Sequence, residues 1–481
     1  MNRLVCHIVL LYLLFATNLQ AQSGIGRLYE ELPNDSIAKK AVDLHTALKP
    51  AIRTVEHVGW RQDSIKKQNF FFIAPAVDAI GAYNSGLSYR LGAGVNLKSQ
   101  VGKWYFKLGA IGGLGSVDSF INTPAFYYEK KGNQYVYSDI RARIGYTPNE
   151  VFNFQVGLDN HFIGEGSRSL FLSDYGTPFP FAQIRTKFWR VEYTVLYQFM
   201  REHTNIGWKS KYATTHHLSF NAAKWLNFGI FETVLFEPKD TLLNRGYDAE
   251  YLNPIIFLRP QEYAFGSADN VLIGLSMDVK FGNHMFYTQG ILDEFSLKEL
   301  KNNPTWWANK FGGQAGFKGR FSSRIGKWFY RVEYNMMRPY TYAHVSEMQA
   351  YGNQGHALAH PLGANFHEIL TELKWQQGKW LAKFFTTYRL KGEDKDGYSY
   401  GGDIYQSYVM RPPYEYGHKI GQGIGTNVSR TILTLDYEIW KPGQLHAFIE
   451  NHFIINGNTN QFNYVPVIGI RSQLWNDYRN Y

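Results

Sequence analysis

From Phe70 onward the chain alternates apolar and polar positions with a period of two, the repeat of a strand whose successive side chains face opposite ways. Val191, Tyr193, Val195, Tyr197 and Phe199 alternate with Arg190, Glu192, Thr194 and Gln198. The pattern returns in Tyr330, Val332, Tyr334 and Met336 against Arg331, Glu333 and Asn335, and in Leu275, Met277, Val279 and Phe281 against Ser276, Asp278 and Lys280. It returns again in Leu433, Leu435, Tyr437 and Ile439 against Thr434, Asp436 and Glu438. Runs of this kind between turn residues predict strands near 70–79, 86–97, 103–115, 134–147, 151–162, 182–188, 189–200, 214–223, 225–236, 268–281, 284–293, 307–318, 327–338, 365–377, 379–391, 428–440, 444–456 and 463–475. A soluble sandwich turns its polar face outward and seldom repeats aromatics along one face of so many strands. About 18 strands, apolar outside and polar inside, predict an all-β fold: a transmembrane antiparallel outer-membrane β-barrel, with 16 as the alternative even count.

Ahead of the barrel the period changes. Ala38, Val42, Leu44, Leu48, Ile52 and Val55 stand at helical spacing, and Pro50 breaks the pattern in two. Residues 22–69 therefore read as a small helical N-terminal element, periplasmic or partly plugging the barrel. Residues 1–21 read as a signal peptide: Arg3, then the apolar run Leu4 to Phe15, then a cleavage site after Ala21. That run is too short to span a membrane. The organisation predicted is signal peptide 1–21, helical element 22–69 and barrel 70–481. The final residue, Tyr481, follows the last strand closely, resembling the signal by which barrels are recognised for assembly.

Composition agrees with dispersed apolar surface. Aromatic residues make up 17% of the chain, with 34 Tyr, 34 Phe and 12 Trp, and Gly occurs 45 times. Mean hydropathy is nevertheless only -0.33. The single cysteine, Cys6, lies in the signal at the start of its apolar stretch, so the mature chain is expected to lack a thiol for a disulfide, a metal or a nucleophile, and is not expected to be a lipoprotein. The net charge of +10 falls by one when the signal is removed. Excess Lys and Arg on an exported barrel suit outer-membrane lipid, lipopolysaccharide and acidic surface polysaccharide; a headgroup-level position explains the same charges. Nucleic acid is not an expected partner.

Function is expected on the long connections near 116–133, 163–181, 237–267, 339–364 and 392–427. Three Arg-Pro steps there bring arginine beside tyrosine: Arg259 with Tyr263, Arg338 with Tyr340 and Tyr342, and Arg411 with Tyr414 and Tyr416. Such pairs stack on sugar rings and grip carboxylates, although a strand end with a proline stop explains each one singly. The lumen-facing charges Arg141, Arg143, Arg190, Glu192, Arg331 and Glu333 carry both signs. They serve either a polar pore or a salt-bridge network that closes it. His356 and His360 have the spacing of zinc ligands on a helix, near His344 and His367, but Gly355, Pro361 and Gly363 oppose a helix. Hydrogen bonding is the expected role, with no metal and no cofactor. Asp293 and Glu294, placed in a strand, would face opposite ways, and Glu262 and Asp269 have no fixed separation. Without a nucleophile motif or phosphate loop, the chain is not expected to be an enzyme.

Several strings add a resemblance: Asn160-His161-Phe162-Ile163-Gly164-Glu165-Gly166-Ser167-Arg168-Ser169-Leu170-Phe171-Leu172-Ser173-Asp174, then Tyr251-Leu252-Asn253-Pro254 leading to Arg259-Pro260, and Leu292-Asp293-Glu294-Phe295. Trp306-Trp307-Ala308-Asn309-Lys310-Phe311-Gly312 and Ala359-His360-Pro361-Leu362-Gly363-Ala364-Asn365-Phe366 follow in the same order. In these strings the chain resembles the capsule-assembly Wzi superfamily, and within it the gliding-motility RemB-like branch. The resemblance implies an 18-stranded barrel with a helical N-terminal bundle and no catalytic activity. It also implies a role in attaching surface polysaccharide, or in the gliding and secretion machinery. A porin-like channel for small solutes is the alternative.

Overall fold

In the computed structural model the described residues are 48–50, 69–116, 125–204, 206–238, 246–254 and 269–478. Eighteen antiparallel strands close into a barrel. They are β1 Phe70–Tyr83, β2 Leu87–Val101, β3 Trp104–Ser116, β4 Gln134–Tyr146, β5 Phe152–Asp159, β6 Phe179–Phe188, β7 Val191–Thr204, β8 Gly207–Ala223 and β9 Leu226–Phe236. The second half comprises β10 Asn270–Phe281, β11 His284–Leu292, β12 Phe311–Ser323, β13 Gly326–Met337, β14 Phe366–Gln377, β15 Trp380–Glu393, β16 Ile424–Trp440, β17 Leu445–Asn456 and β18 Gln461–Ser472. Each matches one of the runs read from the sequence, because alternation is the only pattern that satisfies lipid outside and a packed polar interior at once.

Connections sort by length onto two rims. At one rim the turns are short, as at 102–103, 189–190, 324–325 and 378–379; at the other lie 117–133, 160–178, 237–269, 293–310, 338–365 and 394–423. Long loops mark the extracellular side. Near the short turns runs an aromatic girdle, with Trp104 against Tyr146, Phe321 stacked on Trp328, and Trp380 against Tyr437. Trp and Tyr gather at membrane–water interfaces because one end is apolar and the other wet. Above this girdle Leu275, Val332, Ile369 and Ile468 stand exposed on the outer wall, while Asp278, Arg331, Glu333 and Glu368 are buried on the inner one.

Four expectations need correction or limits. Arg190 belongs to the two-residue turn between β6 and β7 and is exposed, lying over the Trp189 ring at 5.4 Å rather than in the lumen. Its place in the alternation was right, but the strand starts at Val191, two residues after the start read from the sequence. Of the element at 22–69, Leu48–Pro50 form a short antiparallel strand against His161–Ile163; apart from Asn69, which directly precedes β1, the rest lies outside the described residues, as do the signal peptide and Tyr481. The wall of β7 to β10 is not all lipid-facing. Val195 and Tyr197 point outward yet are buried, because Tyr247–Pro254 of the long β9–β10 connection lies over them; Tyr193 Oη donates to Pro254 O at 2.6 Å and Tyr197 Oη to Leu252 O at 2.8 Å. Finally, Asp293 and Glu294 follow the end of β11 instead of alternating within it.

Candidate functional site

Inside the lumen lies the connection 160–178, folded inward from the extracellular rim. Glu333 of β13 holds it: its carboxylate accepts Ser167 N–H at 2.7 Å, Arg168 N–H at 3.1 Å, Tyr287 Oη at 2.7 Å and Asn335 Nδ2 at 2.9 Å. Gln289 of β11 accepts Leu170 N–H at 2.8 Å and donates to Ile163 O at 3.0 Å. Gln314 of β12 donates to Arg168 O at 3.1 Å. The loop thus obtains from strand side chains the backbone partners that a buried irregular segment otherwise lacks. Its charges are paired as well: Arg168 with Glu368 at 3.4 Å, and Glu165 with Lys318 at 2.5 Å.

Shape completes the fit. Phe171 stacks on Phe231 with centroids 4.7 Å apart, over Gly274, where an added Cβ would stand 2.4 Å from the phenyl ring. Gly164 has φ +129°, and a Cβ there would meet Gln289 Nε2 at 2.3 Å. Only glycine tolerates both the dihedral and the approach. From above, Tyr342 Oη donates to Leu170 O at 2.6 Å and Tyr351 Oη to Phe171 O at 2.7 Å. From the other end of the chain, Asn476 and Tyr478 bond to Asp174.

The remaining lumen charges read from the sequence are engaged. Arg143 meets Asp159 at 2.6 Å and Gln155 at 2.7 Å, Arg141 meets Asp139 at 3.2 Å, Glu192 meets Arg185 at 2.7 Å, and Arg331 meets Glu372 at 2.7 Å. His360 lies 2.9 Å from Glu368, whereas His356 sits in a short strand with its ring edge-on to Tyr175. Among the described residues, no three His, Cys, Asp or Glu converge as a metal would require.

Over this plug three connections form a cap. Lys310, fully buried, lies 3.4 Å from Asp293 and 3.2 Å from Glu294, with its ammonium 4.5 Å from the Tyr408 ring centroid. Asp293 also accepts the Tyr342 N–H at 2.8 Å. Burial, more than the nearby Lys310, pushes the His344 imidazole down to about 4. At the cap surface the Arg411 guanidinium lies over the Trp307 ring at 3.9 Å and donates to Glu415 at 2.7 Å. Glu415 also accepts the indole N–H of Trp307 at 2.7 Å and of Trp306 at 3.3 Å. The Arg411 hydrogen bond, ahead of these, holds its carboxyl below the usual carboxylate range.

The Arg-Pro steps have different fates. Arg338 is buried just past the end of β13, donating to Asn309 O at 2.7 Å and Trp306 O at 2.9 Å, and Tyr340 and Tyr342 are fully buried. Arg411, Tyr414 and Tyr416 reach the surface, where Tyr398 joins them. Arg259 and Tyr263 lie outside the described residues. Sequence reasoning had not singled out Trp306, Trp307, Glu415 or Tyr408 as a platform, although the Trp306-Trp307 pair was visible as a string.

No protein-family model and no curated relative matches the sequence. Solved structures do match by shape. Wzi, an outer membrane protein involved in group 1 capsule assembly in Escherichia coli and a carbohydrate-binding β-barrel, aligns with a TM-score of 0.54 at 12% identity over 87% of each chain. OccAB2 of Acinetobacter baumannii aligns at 0.44 and 9% identity, covering 84% of this chain and 97% of that one. OprD of Pseudomonas aeruginosa aligns at 0.43 and 9%, covering 84% and 96%. The chain is a bacterial outer-membrane β-barrel. At such identity the likeness to Wzi establishes the fold it shares.

Proposed function

We propose that the protein is a non-enzymatic barrel that holds acidic surface polysaccharide on its extracellular cap. The observation that carries the reading is the Arg411–Trp307–Glu415 assembly, with Tyr398, Tyr414 and Tyr416 exposed beside it. Flat aromatic faces take the apolar sides of pyranose rings, and an arginine fixed among them meets a uronate carboxylate. The fold shared with a carbohydrate-binding barrel supports the same reading. A lumen occupied by residues 160–178 supports a binding role over conduction.

The sequence resemblance to the gliding-motility branch gives a second use for the same rim, docking a subunit of the gliding or secretion apparatus. Val345, Val409 and Met410, all at least half-exposed at the cap, favour protein contact there, since sugars do not bury aliphatic side chains well. Arg411→Glu combined with Tyr414→Ala distinguishes the two. With the barrel still heat-modifiable on gels, binding of polygalacturonate to cells or to the purified protein should fall at least about tenfold, and salt should weaken the parent's binding. Retained polysaccharide binding together with loss of a partner from detergent pull-downs would assign the rim to protein docking. Unchanged binding of both would end the proposal.

A further inference from the structure

The two rims of the barrel differ in charge. In the connections of the short-turn rim stand Lys103, Arg190, Lys224, Arg324, Lys379 and Lys441, against a single carboxylate, Glu150. All six cations are exposed, and none is paired with a carboxylate among the described residues. At the opposite rim the connections 293–310, 338–365 and 394–423 hold eight carboxylates and seven cations. Positive charge therefore gathers at the short-turn rim and not at the cap. Residues 51–68, ahead of β1, contain four cations and two carboxylates, so their charge does not cancel that of the rim.

Tryptophan sets the depth of these charges. Five of the six adjoin one: Lys103-Trp104, Trp189-Arg190, Lys224-Trp225, Lys379-Trp380 and Trp440-Lys441. Arg324 has Trp328 across its own turn, where the indole N–H donates to Ser323 Oγ at 3.1 Å. Trp104, Trp189, Trp225 and Trp380 are all exposed, and such a belt marks the boundary between acyl chains and headgroups. A cation beside or just beyond each indole then stands at the depth of the lipid phosphates, its stem laid along the apolar belt. Two of the heads are steadied at the rim: Arg190 lies over the Trp189 ring at 5.4 Å and donates to Ala222 O at 3.1 Å, and Lys103 donates to Pro148 O at 2.6 Å. Both side chains have further N–H donors for a ligand.

We propose that the short-turn rim is a binding ring for anionic phospholipid of the periplasmic leaflet, in which each cation takes the phosphate of a headgroup with no ammonium of its own, such as phosphatidylglycerol. A zwitterionic headgroup brings its own cation beside the phosphate and gains little from a nearby lysine, whereas a headgroup of net negative charge gains the full attraction. The six turns are spread round the barrel, from β2–β3 to β16–β17. A protein partner docks on one face; an annulus of lipid surrounds the wall as these cations do. With charges of both signs in its long connections, the extracellular rim offers no such preference, so the barrel distinguishes the two leaflets. The ring is independent of what the cap binds.

The test reconstitutes the full chain in phosphatidylcholine bilayers with a trace of spin-labelled phosphatidylglycerol or phosphatidylcholine, and reads by electron paramagnetic resonance how much of each is held at the protein surface. The parent should prefer phosphatidylglycerol by at least about threefold at low salt, and less as salt is added. Lys103→Gln, Arg190→Gln, Lys224→Gln, Arg324→Gln, Lys379→Gln and Lys441→Gln together should abolish the preference, while exchanging Lys for Arg and Arg for Lys at the same six positions should keep it. Heat-modifiable mobility reports folding; should the sixfold variant not fold, Lys103→Gln, Lys224→Gln and Lys379→Gln together should lower the preference part-way. Lys298→Gln, Lys301→Gln and Lys395→Gln at the cap reduce net charge and should change nothing. No preference in the parent, a preference that survives removal of the six cations, or an equal loss in the cap variant would each overturn the proposal. Binding of the parent to peptidoglycan sacculi without any lipid preference would assign the ring to the cell wall instead.

Discussion

Glu333 shows how one residue sets the state of the lumen. It was legible as a lumen-facing charge from alternation alone, but its partners were not, because Ser167 and Arg168 lie some 165 residues away in sequence. Replacing it by alanine strands two backbone N–H groups and the Tyr287 hydroxyl, so Glu333→Ala should cost about 3–5 kcal/mol. The temperature at which the folded band disappears on semi-native gels should drop, and Glu333→Gln should recover part of it; an unchanged temperature would contradict the plug's anchoring. His344 gives a prediction in pH. Its folded pKa of about 4 lies below the ordinary 6.5, so an opened cap binds a proton that the closed cap refuses, and stability is lost as pH falls from about 6.5 towards about 4. Trp306 and Trp307 emission should shift to the red over that window, and His344→Gln should delay the shift. Identical acid profiles would remove His344 from the account. Among the arginines, Arg338 and Arg411 looked alike in sequence; only the packing of Asn309 and Trp306 carbonyls around one, and of an indole face under the other, separates them.

Strands were the most legible elements, because each carries its own evidence: residues 330–336 declare two faces without reference to any other segment. Loops do not. The connection 160–178 reads as an ordinary extracellular loop, since its glycines, serines and charges have no period, and only contacts with β11, β12, β13 and β14 turn it inward. Leu170, Phe171 and Leu172 between polar residues were the one hint that part of it needs burial. Removing residues 164–171 and joining the ends with a short glycine linker should leave the girdle and wall intact while emptying the lumen. In planar bilayers the parent should then show little conductance and the deletion variant large, steady steps. Equal conductance in both would mean that the lumen is sealed elsewhere or was never sealed.

For the whole molecule, the barrel class, strand number and rim assignment followed from period and loop length, while the lumen contents and the inturned tail did not, since they depend on which distant side chains meet. That dependence also bears on the order of events during assembly. The inward connection emerges early in the chain, between β5 and β6. Its supports emerge later, on β11 to β14 and in residues 342 and 351, and the last contacts, from Asn476 and Tyr478, come only with the C-terminus. A ring of strands already closed offers no easy route for a folded segment of this size to enter. The sheet must therefore wrap around the segment while still open, and closure at β1 and β18 becomes the step that traps it, so a chain that joins its first and last strands too soon is left with an empty bore and an unburied Arg168.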